Sequence, residues 1–458
     1  MAKQSAGLPK GTRDFSPEEV SKRQFIMDII RNQFQRYGYA PIETPSFENL
    51  STLTGKYGEE GDRLIFKILD SGDFLKNADE ADLAQKDSRK ILQQISGKAL
   101  RYDLTVPFAR YVVQHQNDIT FPFKRYQMQP VWRADRPQKG RFREFWQCDA
   151  DVVGSTSLWQ ETELVALYDA VFTDLKIPVE IHINNRKILS GLAEVAEISD
   201  KLIDFTTTLD KLDKIGIEKV QEEMLERGIP QTAIEKLSAL FRLSGDFKNQ
   251  FEALKSILQN SEVGMQGIEE LNFVFEKTEI TGLKSAELIL NLTLARGLDY
   301  YTGAILEVKA KNVAMGSIGG GGRYDDLTGI FGLKGISGVG ISFGLDRIYL
   351  VLEELALFPK SLQNQLDALF VNFGEKETEV AMKLAKNLRE KGLRCDVYPD
   401  NAKMKKQMQY ADHRSAKFVV IIGEEELKTR QVTLKDMISG EQQKVDFSEL
   451  TAFLATGK

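Results

Sequence analysis

Apolar positions change their period several times along the 458 residues, and each change marks an element. Near the start, Ile26, Ile29, Ile30 and Phe34 recur at helical spacing and share one face. Ser16 can cap that run, Pro17 and Glu18 suit a first turn, and Gly38 ends it, so the pattern predicts a helix from Pro17 to Tyr37. A short strand, Tyr39 to Thr44, then runs into Pro45. From Phe123 to Val153 two strand-like runs flank the polar loop Asp135-Arg-Pro-Gln-Lys-Gly140, which predicts an antiparallel hairpin with a long, mobile connection.

Residues near 195 to 275 change character. They are Lys/Glu-rich with helical spacing, as in Lys211-Leu-Asp-Lys-Ile, and are expected to form a helical domain inserted between strand-rich segments. Strands resume from Ile289 through Val308, and the run Leu294-Ala-Arg-Gly-Leu-Asp-Tyr-Tyr-Thr-Gly303 is expected to be extended. A glycine run, Gly319 to Gly322, follows, and a strand and then an amphipathic helix occupy Gly338 to Leu355. Phe358 to Gln365 looks like a linker. The tail reads as a separate α/β unit: a buried-type strand from Leu366, a helix from Lys376 to Lys391 ended by Gly392, and the continuous apolar strand Phe418-Val-Val-Ile-Ile-Gly423 that a parallel sheet requires.

Composition narrows the function more than the fold. With 42% hydrophobic and 28% charged residues the chain is an ordinary globular protein of two to four domains. It has no apolar run long enough to span a bilayer and no apolar signal core at its start, so a cytoplasmic protein without membrane contact is expected. Cys148 and Cys395 lie far apart, and His115, His182 and His413 do not cluster. Zinc sites, disulfide frameworks and Ser/His or Cys/His nucleophile systems are therefore disfavoured. A net charge of −6 argues against indiscriminate nucleic-acid coating and leaves a local patch open.

Three constellations carry chemistry. On the second hairpin strand Phe145, Gln147, Asp149 and Asp151 alternate with Trp146, Cys148, Ala150 and Val152, so an aromatic, an amide and two carboxylates share one face. The preceding strand ends in Arg133, and Arg136, Lys139, Arg141 and Arg143 follow, which suits a phosphate-gripping loop. Arg296 with Tyr300 and Tyr301 sets a cation beside a stacking wall. Arg347 falls in the first turn of a helix, an unfavourable place for a cation that Asp346 could offset or an anionic or planar ligand could use. Neither a P-loop nor a GxGxxG turn is present, so any nucleotide must be held by isolated arginines on an antiparallel sheet.

Taken in order, the helix–strand–Pro45 unit, the Arg133 hairpin with Arg143-Glu144, and Gly344-Leu-Asp-Arg347 resemble the three motifs of class II aminoacyl-tRNA synthetases. Leu294 to Tyr301 and Gly320-Gly-Gly-Arg-Tyr-Asp-Asp-Leu resemble the two signature peptides of the histidyl-tRNA synthetase family, over essentially the whole chain. Arg101-Tyr-Asp-Leu-Thr-Val-Pro and Gln147-Cys-Asp-Ala-Asp151 are similar to the archaeal/eukaryotic-type variant, with Asp103 and Asp151 where many bacterial relatives carry Glu. The resemblance implies an α+β fold: a class II-like antiparallel-sheet catalytic domain (1–195 and 276–356), a helical insertion (196–275), a linker (357–365) and a C-terminal α/β anticodon-binding domain (366–458). It implies ATP with Mg2+, L-histidine and histidine tRNA as partners, and a homodimer. By the same resemblance Arg133 and Arg296 are catalytic; Arg133, Arg141, Phe145 and Arg347 hold ATP; and Asp103, Thr105, Arg133, Gln147, Asp151, Arg296, Tyr300 and Tyr301 hold histidine. Either Tyr300 or Tyr301 then bonds the imidazole. Gln138 and Lys139 are placed at the tRNA acceptor end, and Lys403, Lys405, Lys406, Arg414 and Lys417 at its anticodon region; no metal ligand is assigned. The competing readings are a synthetase for another amino acid and an inactive paralogue, either an ATP phosphoribosyltransferase regulatory subunit or a tRNA-binding sensor.

Overall fold

The computed structural model describes residues 6–238, 240, 243, 246–295, 300–359, 362 and 366–456. Its contacts divide the chain into two compact units, one of residues 1–14 and 23–358 and one of 15–22 and 359–458.

The larger unit is built on an eight-stranded sheet. Its strands are β1 (Ala40–Pro41), β2 (Phe123–Trp132), β3 (Glu144–Val153), β4 (Val179–Asn185), β5 (Ala286–Leu290), β6 (Ala304–Ala310), β7 (Gly319–Tyr324) and β8 (Gly338–Gly344). The spatial order is β1-β2-β3-β8-β7-β6-β4-β5; the edge strands β1 and β5 pair in parallel and every inner pair is antiparallel. Helices α1 (Pro17–Arg36) and α3 (Trp159–Asp174) contribute buried aromatics to the core. There Phe34 and Tyr168 meet Phe343 of β8 with ring centroids 5.8 and 4.8 Å apart, while Cys148 and Ala150 of β3 are wholly buried. Burial of this apolar face frees the other face of β3, which carries Gln147, Asp149 and Asp151, for polar work. Helix α2 (Thr105–Gln114) follows Asp103, and α4 (Leu345–Glu354) follows β8 directly.

Between Arg186 and Thr281 the described elements are all helical, the longest being Glu262–Thr281, capped by Ser261. The second unit holds a five-stranded sheet of β9 (Ala368–Phe370), β10 (Cys395–Val397), β11 (Phe418–Ile421), β12 (Gln431–Asp436) and β13 (Gln442–Asp446), in the order β10-β9-β11-β12-β13. Here β9 runs parallel to β10 and β11, and the remaining pairs are antiparallel. Helices α5 (Glu375–Glu390) and α6 (Met404–His413) accompany this sheet. No helix among the described residues is long and apolar enough to cross a membrane.

Two local expectations differ from the structure, and one run left unassigned takes a definite form. The strand expected from Tyr39 to Thr44 shrinks to Ala40–Pro41, though the Ile42 N–H still donates to the Tyr126 carbonyl at 3.0 Å. Pro41 and Pro45 have no N–H for a ladder, which ends the pairing. Leu294, Ala295 and Tyr300 to Gly303 form turn and loop between β5 and β6, not strand, and Arg296 to Asp299 lie outside the described residues. Asn291 breaks the run: its Oδ1 accepts from the Thr293 N–H at 3.1 Å, while Asn184 donates to the Leu294 carbonyl at 3.0 Å. The glycine run, in turn, is strand β7. A side chain at Gly321 would start 2.2 Å from the Gly340 carbonyl oxygen, so adjacent strands approach there as only glycine permits.

Candidate active site

Register places the site. On the polar face, Arg125, Asp151 and Gly340 stand side by side on β2, β3 and β8; Gln127, Asp149 and Ser342 form the next row, and Gln129, Gln147 and Gly344 the third. Gly320 and Gly322 continue the face on β7 without side chains, which leaves a floor open to a ligand.

Two cavities open onto this floor. The larger, ≈ 360 Å³, is lined by Arg133, Asp135, Arg141, Phe142, Phe145, Glu307, Ser317 and Arg347, among others. All four residues expected to hold ATP therefore line one cavity. The smaller, ≈ 40 Å³, is lined by Asp103, Thr105, Asp149, Asp151, Tyr300, Tyr301, Tyr324 and Ser342, among others. Arg133, Gln147 and Tyr301 line both cavities, so the two adjoin at a cation, an amide and a phenol.

Arg133 is aimed by its neighbours. Its Nε donates to the Tyr102 carbonyl at 3.0 Å, and its guanidinium lies 4.2 Å from the Tyr102 ring centroid and 5.3 Å from that of Phe145. That seating pins one edge of the fork and turns the other toward the junction. Beyond it, Gln138 and Arg141 exchange backbone hydrogen bonds of 3.1 and 2.9 Å, closing the loop tip. Lys139 reaches Glu354 at 3.1 Å and Arg141 stands 3.5 Å from Asp135. The N-terminal segment packs on the same loop: the Gly11 carbonyl accepts from the Arg143 N–H at 2.9 Å, and Arg13 lies 3.4 Å over the Phe142 ring. Sequence reading missed this segment, since nothing in its pattern announces a partner 130 residues away.

Asp346 and Arg347 part company at the start of α4. Arg347 Nε donates to the Gly140 carbonyl at 2.9 Å and Nη1 to that of Ser317 at 2.5 Å. Asp346 instead pairs with Arg13 and, at 2.5 Å, with Arg23, while accepting from the Trp146 N–H at 3.0 Å. The helix-dipole cost is thus set against two backbone carbonyls on Arg347, and Asp346 serves other cations.

In the smaller cavity Asp103 is 1% exposed and accepts from Tyr57 at 2.9 Å, Tyr300 at 3.0 Å and the Val106 N–H at 3.1 Å. Burial raises its pKa, and these bonds with Arg133 oppose the rise. Asp151 accepts from Tyr324 at 2.6 Å, and its other oxygen stands 2.8 Å from Arg125, close enough to pair though not aligned as a hydrogen bond. Burial raises Asp151 too, against Arg125. Asp149 is pushed up to about 7 by burial, with Arg125 pulling it down and Asp151 pushing it up. Tyr301 is likewise raised by burial and then by Asp151, so it stays a neutral donor. Gln147 donates to Ser342 Oγ at 3.0 Å. At Gly340 an added Cβ would sit 1.9 Å from Asp151 Oδ1, so glycine makes room for that carboxylate. Of these, Tyr57, Tyr324, Arg125 and Gly340 were given no role from the sequence: strand register sets Arg125 and Gly340 beside Asp151, and hydrogen bonds from distant segments bring Tyr324 to Asp151 and Tyr57 to Asp103.

The structure therefore brings Asp103, Thr105, Arg133, Arg141, Phe145, Gln147, Asp151, Tyr300, Tyr301 and Arg347 together. Arg296 lies outside the described residues. In the second unit Lys403, Lys405 and Lys406 are exposed at and just after the start of α6. Arg414 pairs with Asp396 at 3.3 Å and Lys417 with Asp367 at 2.9 Å.

Two antiparallel-sheet cavities joined at an arginine suit an amino acid meeting a nucleotide phosphate, and comparison with known proteins gives that geometry a family. Residues 11–76 and 72–348 match the family model described as Histidyl-tRNA synthetase. The chain belongs to the histidyl-tRNA synthetase family. Residues 367–456 match an anticodon binding domain. A Histidine--tRNA ligase of Christiangramia forsetii is 65% identical over 98% of this chain and 99% of its own length. One from Flavobacterium johnsoniae is 59% identical over 97% and 98%. Among solved structures, the histidyl-tRNA synthetase from Nostoc sp. PCC 7120 superposes with a TM-score of 0.81 at 31% identity, covering both chains completely. A Bacillus halodurans structure described as an ATP phosphoribosyltransferase regulatory subunit/histidyl-tRNA synthetase is 21% identical (TM-score 0.71, 92% of this chain and 98% of that one) and shares the fold.

Proposed function

We propose that the chain is a histidine--tRNA ligase whose chemistry takes place where the two cavities meet. The observation that carries this reading is the junction itself: Arg133, Gln147 and Tyr301 line both an acid-and-phenol pocket and an arginine-lined one.

In this reading ATP lies in the larger cavity, its adenine between Phe145 and Arg347 and its γ-phosphate toward Arg141. Histidine lies in the smaller cavity with its ammonium group held by Asp103, Thr105 and Gln147. Tyr300 already donates to Asp103, so Tyr301 is the phenol left for the imidazole, opposite Asp151. Arg133 then binds both the histidine carboxylate and the ATP α-phosphate, and Arg296 joins it at the phosphate. A carboxylate oxygen attacks the α-phosphorus in line, the bond to the β-phosphate bridging oxygen breaks, and pyrophosphate leaves with its electron pair. Preorganised cations stabilise the charge on phosphorus as it develops. In the second step the 3′-hydroxyl of the terminal tRNA adenosine attacks the activated carbonyl, a phosphate oxygen of the adenylate accepts its proton, and AMP leaves.

Among the described residues no cluster of three His, Cys, Asp or Glu side chains could hold a metal by itself. Asp135 and Glu307 do line the nucleotide cavity, and magnesium needs only one or two carboxylates when it arrives on ATP phosphates. Mg2+ thus enters as part of the substrate. The helical insertion (196–275) is assigned to the tRNA acceptor stem, and the C-terminal domain (366–458), through Lys403, Lys405, Lys406 and Arg414, to the anticodon. Gln138 and Lys139 at the closed loop tip approach the acceptor end. The homodimer reading rests on family likeness and on Phe47, which is 49% exposed just beyond Pro45.

The test is isotope exchange between pyrophosphate and ATP with pure protein and magnesium. Exchange is expected with histidine and not with threonine, proline or glycine. Exchange with one of those three, or with none of the four amino acids, contradicts the reading.

A further inference from the structure

The sheet face beneath the smaller cavity holds more buried acceptors than its own donors satisfy. Gln127 Oε1, Gln147 Oε1 and Asp149 Oδ1 are buried with no hydrogen-bond partner among the described residues, and Asp151 Oδ2 has only the unaligned Arg125 contact at 2.8 Å; Arg125 Nε and Nη1 are the unpartnered donors of the same rows, so the acceptors outnumber them. They occupy adjacent register positions on β2 and β3. Buried acceptors without partners are costly, so such a surface favours a ligand rich in N–H donors. A neutral imidazole has one N–H; an imidazolium has two.

The charges point the same way. Three buried carboxylates, Asp103, Asp149 and Asp151, line the cavity, and Arg133 is the cation among its described lining residues. Arg125 stands behind Asp151 at 2.8 Å, with its guanidinium 4.2 Å over the Phe108 ring. The ammonium group of an amino acid matches Asp103, and its carboxylate with the phosphate occupies Arg133. Asp149 has no cation of its own among the described residues of the cavity: it shares Arg125 with Asp151 and feels Arg101 through charge alone. The charged groups that act on it are Arg125, Arg101, Asp151 and Asp103; its other neighbours are neutral, among them Gln127 on β2, Ser342 on β8, Tyr168 on α3 and Tyr301 from the loop.

We propose that Asp149 is a second imidazole-reading carboxylate beside Asp151, and that the pocket holds the histidine side chain together with one proton, as an imidazolium facing two carboxylates. At high pH the second N–H forms with a proton taken from solvent; at low pH the ligand arrives as imidazolium, the Asp149 O–H bond breaks and its proton goes to solvent. The inference deepens the histidine-ligase reading and rests on it. The exchange assay above tests that reading separately, because a chain that activates histidine without proton uptake fails only here.

Proton accounting supplies the test. Free histidine titrates near pH 6.5, and Asp149 near 7 because it is buried beside Asp151. Around pH 8 both are mostly deprotonated before binding, so each histidine bound should bring in close to one proton. Below about pH 6 both already hold protons, and binding should release one. Calorimetric titration of the full chain with L-histidine, in buffers of different ionisation enthalpy, reads this number directly. A count near zero around pH 8 overturns the proposal. Asp149→Asn should abolish the uptake and raise the histidine KM by at least about tenfold; an unchanged uptake overturns the role of Asp149. Independently of any variant, 1,2,4-triazolylalanine, which keeps the ring shape and lacks the basicity, should bind at least about tenfold more weakly without taking up a proton. Equal affinity for histidine and the triazole also overturns it.

Discussion

Individual residues in this site are defined by what already holds them. Arg133 is seated on Tyr102 and Phe145 before any ligand arrives, and Asp103 is fixed by two phenols and a backbone N–H. Preorganisation of this kind converts binding energy into transition-state stabilisation, because no reorientation is needed when charge develops. Arg296 is assigned the same role at the phosphate. Replacing it with alanine should lower histidine-dependent exchange by at least about 10²-fold with a smaller effect on the KM for ATP. An exchange rate near wild type would make Arg296 structural. At this scale much could be read from the sequence: period-two alternation alone set Gln147, Asp149 and Asp151 on one face. The phenols Tyr57 and Tyr324 could not be read, since each reaches its aspartate from a distant segment, 46 and 173 residues away.

At the scale of elements, the sheet does its work by register and by missing side chains. Gly340 lies across from Asp151, and Gly320 and Gly322 continue the floor. A Gly340→Ala chain would place a methyl 1.9 Å from Asp151 Oδ1, displacing that carboxylate from Tyr324 and Arg125. The expected result is a rise of at least about tenfold in the histidine KM with the ATP KM little changed, since one mispaired buried group costs about 1–3 kcal/mol. Equal rises in both constants would mean that the sheet, not the pocket, had failed. Element reading from sequence succeeded for the Arg133 hairpin, whose strands alternate cleanly. It failed for the segment from Leu294 and assigned no element to the glycine run. A strand of glycines has no side-chain period to detect, and Asn291 bends a run whose composition is that of a strand.

For the whole molecule, the account joins an activation site in one unit to tRNA recognition that draws on the other. The exposed lysines of α6 are assigned to the anticodon, so changing Lys403, Lys405 and Lys406 together to alanine should leave exchange unaltered. It should lower kcat/KM for tRNA at least about tenfold and flatten its salt dependence, as expected when phosphate contacts are lost. Unaltered tRNA kinetics would move the anticodon site elsewhere. The two-part organisation was legible in the sequence from the linker and the renewed strand–helix pattern beyond it. The central claim is that this chain attaches histidine to tRNA, and aminoacylation tests it most directly. Pure protein, ATP, magnesium and bulk tRNA are mixed with each labelled amino acid in turn. The account predicts acid-precipitable label with histidine alone. Label from any other amino acid, or none from histidine while the tRNA is charged by a known histidine--tRNA ligase, would contradict it.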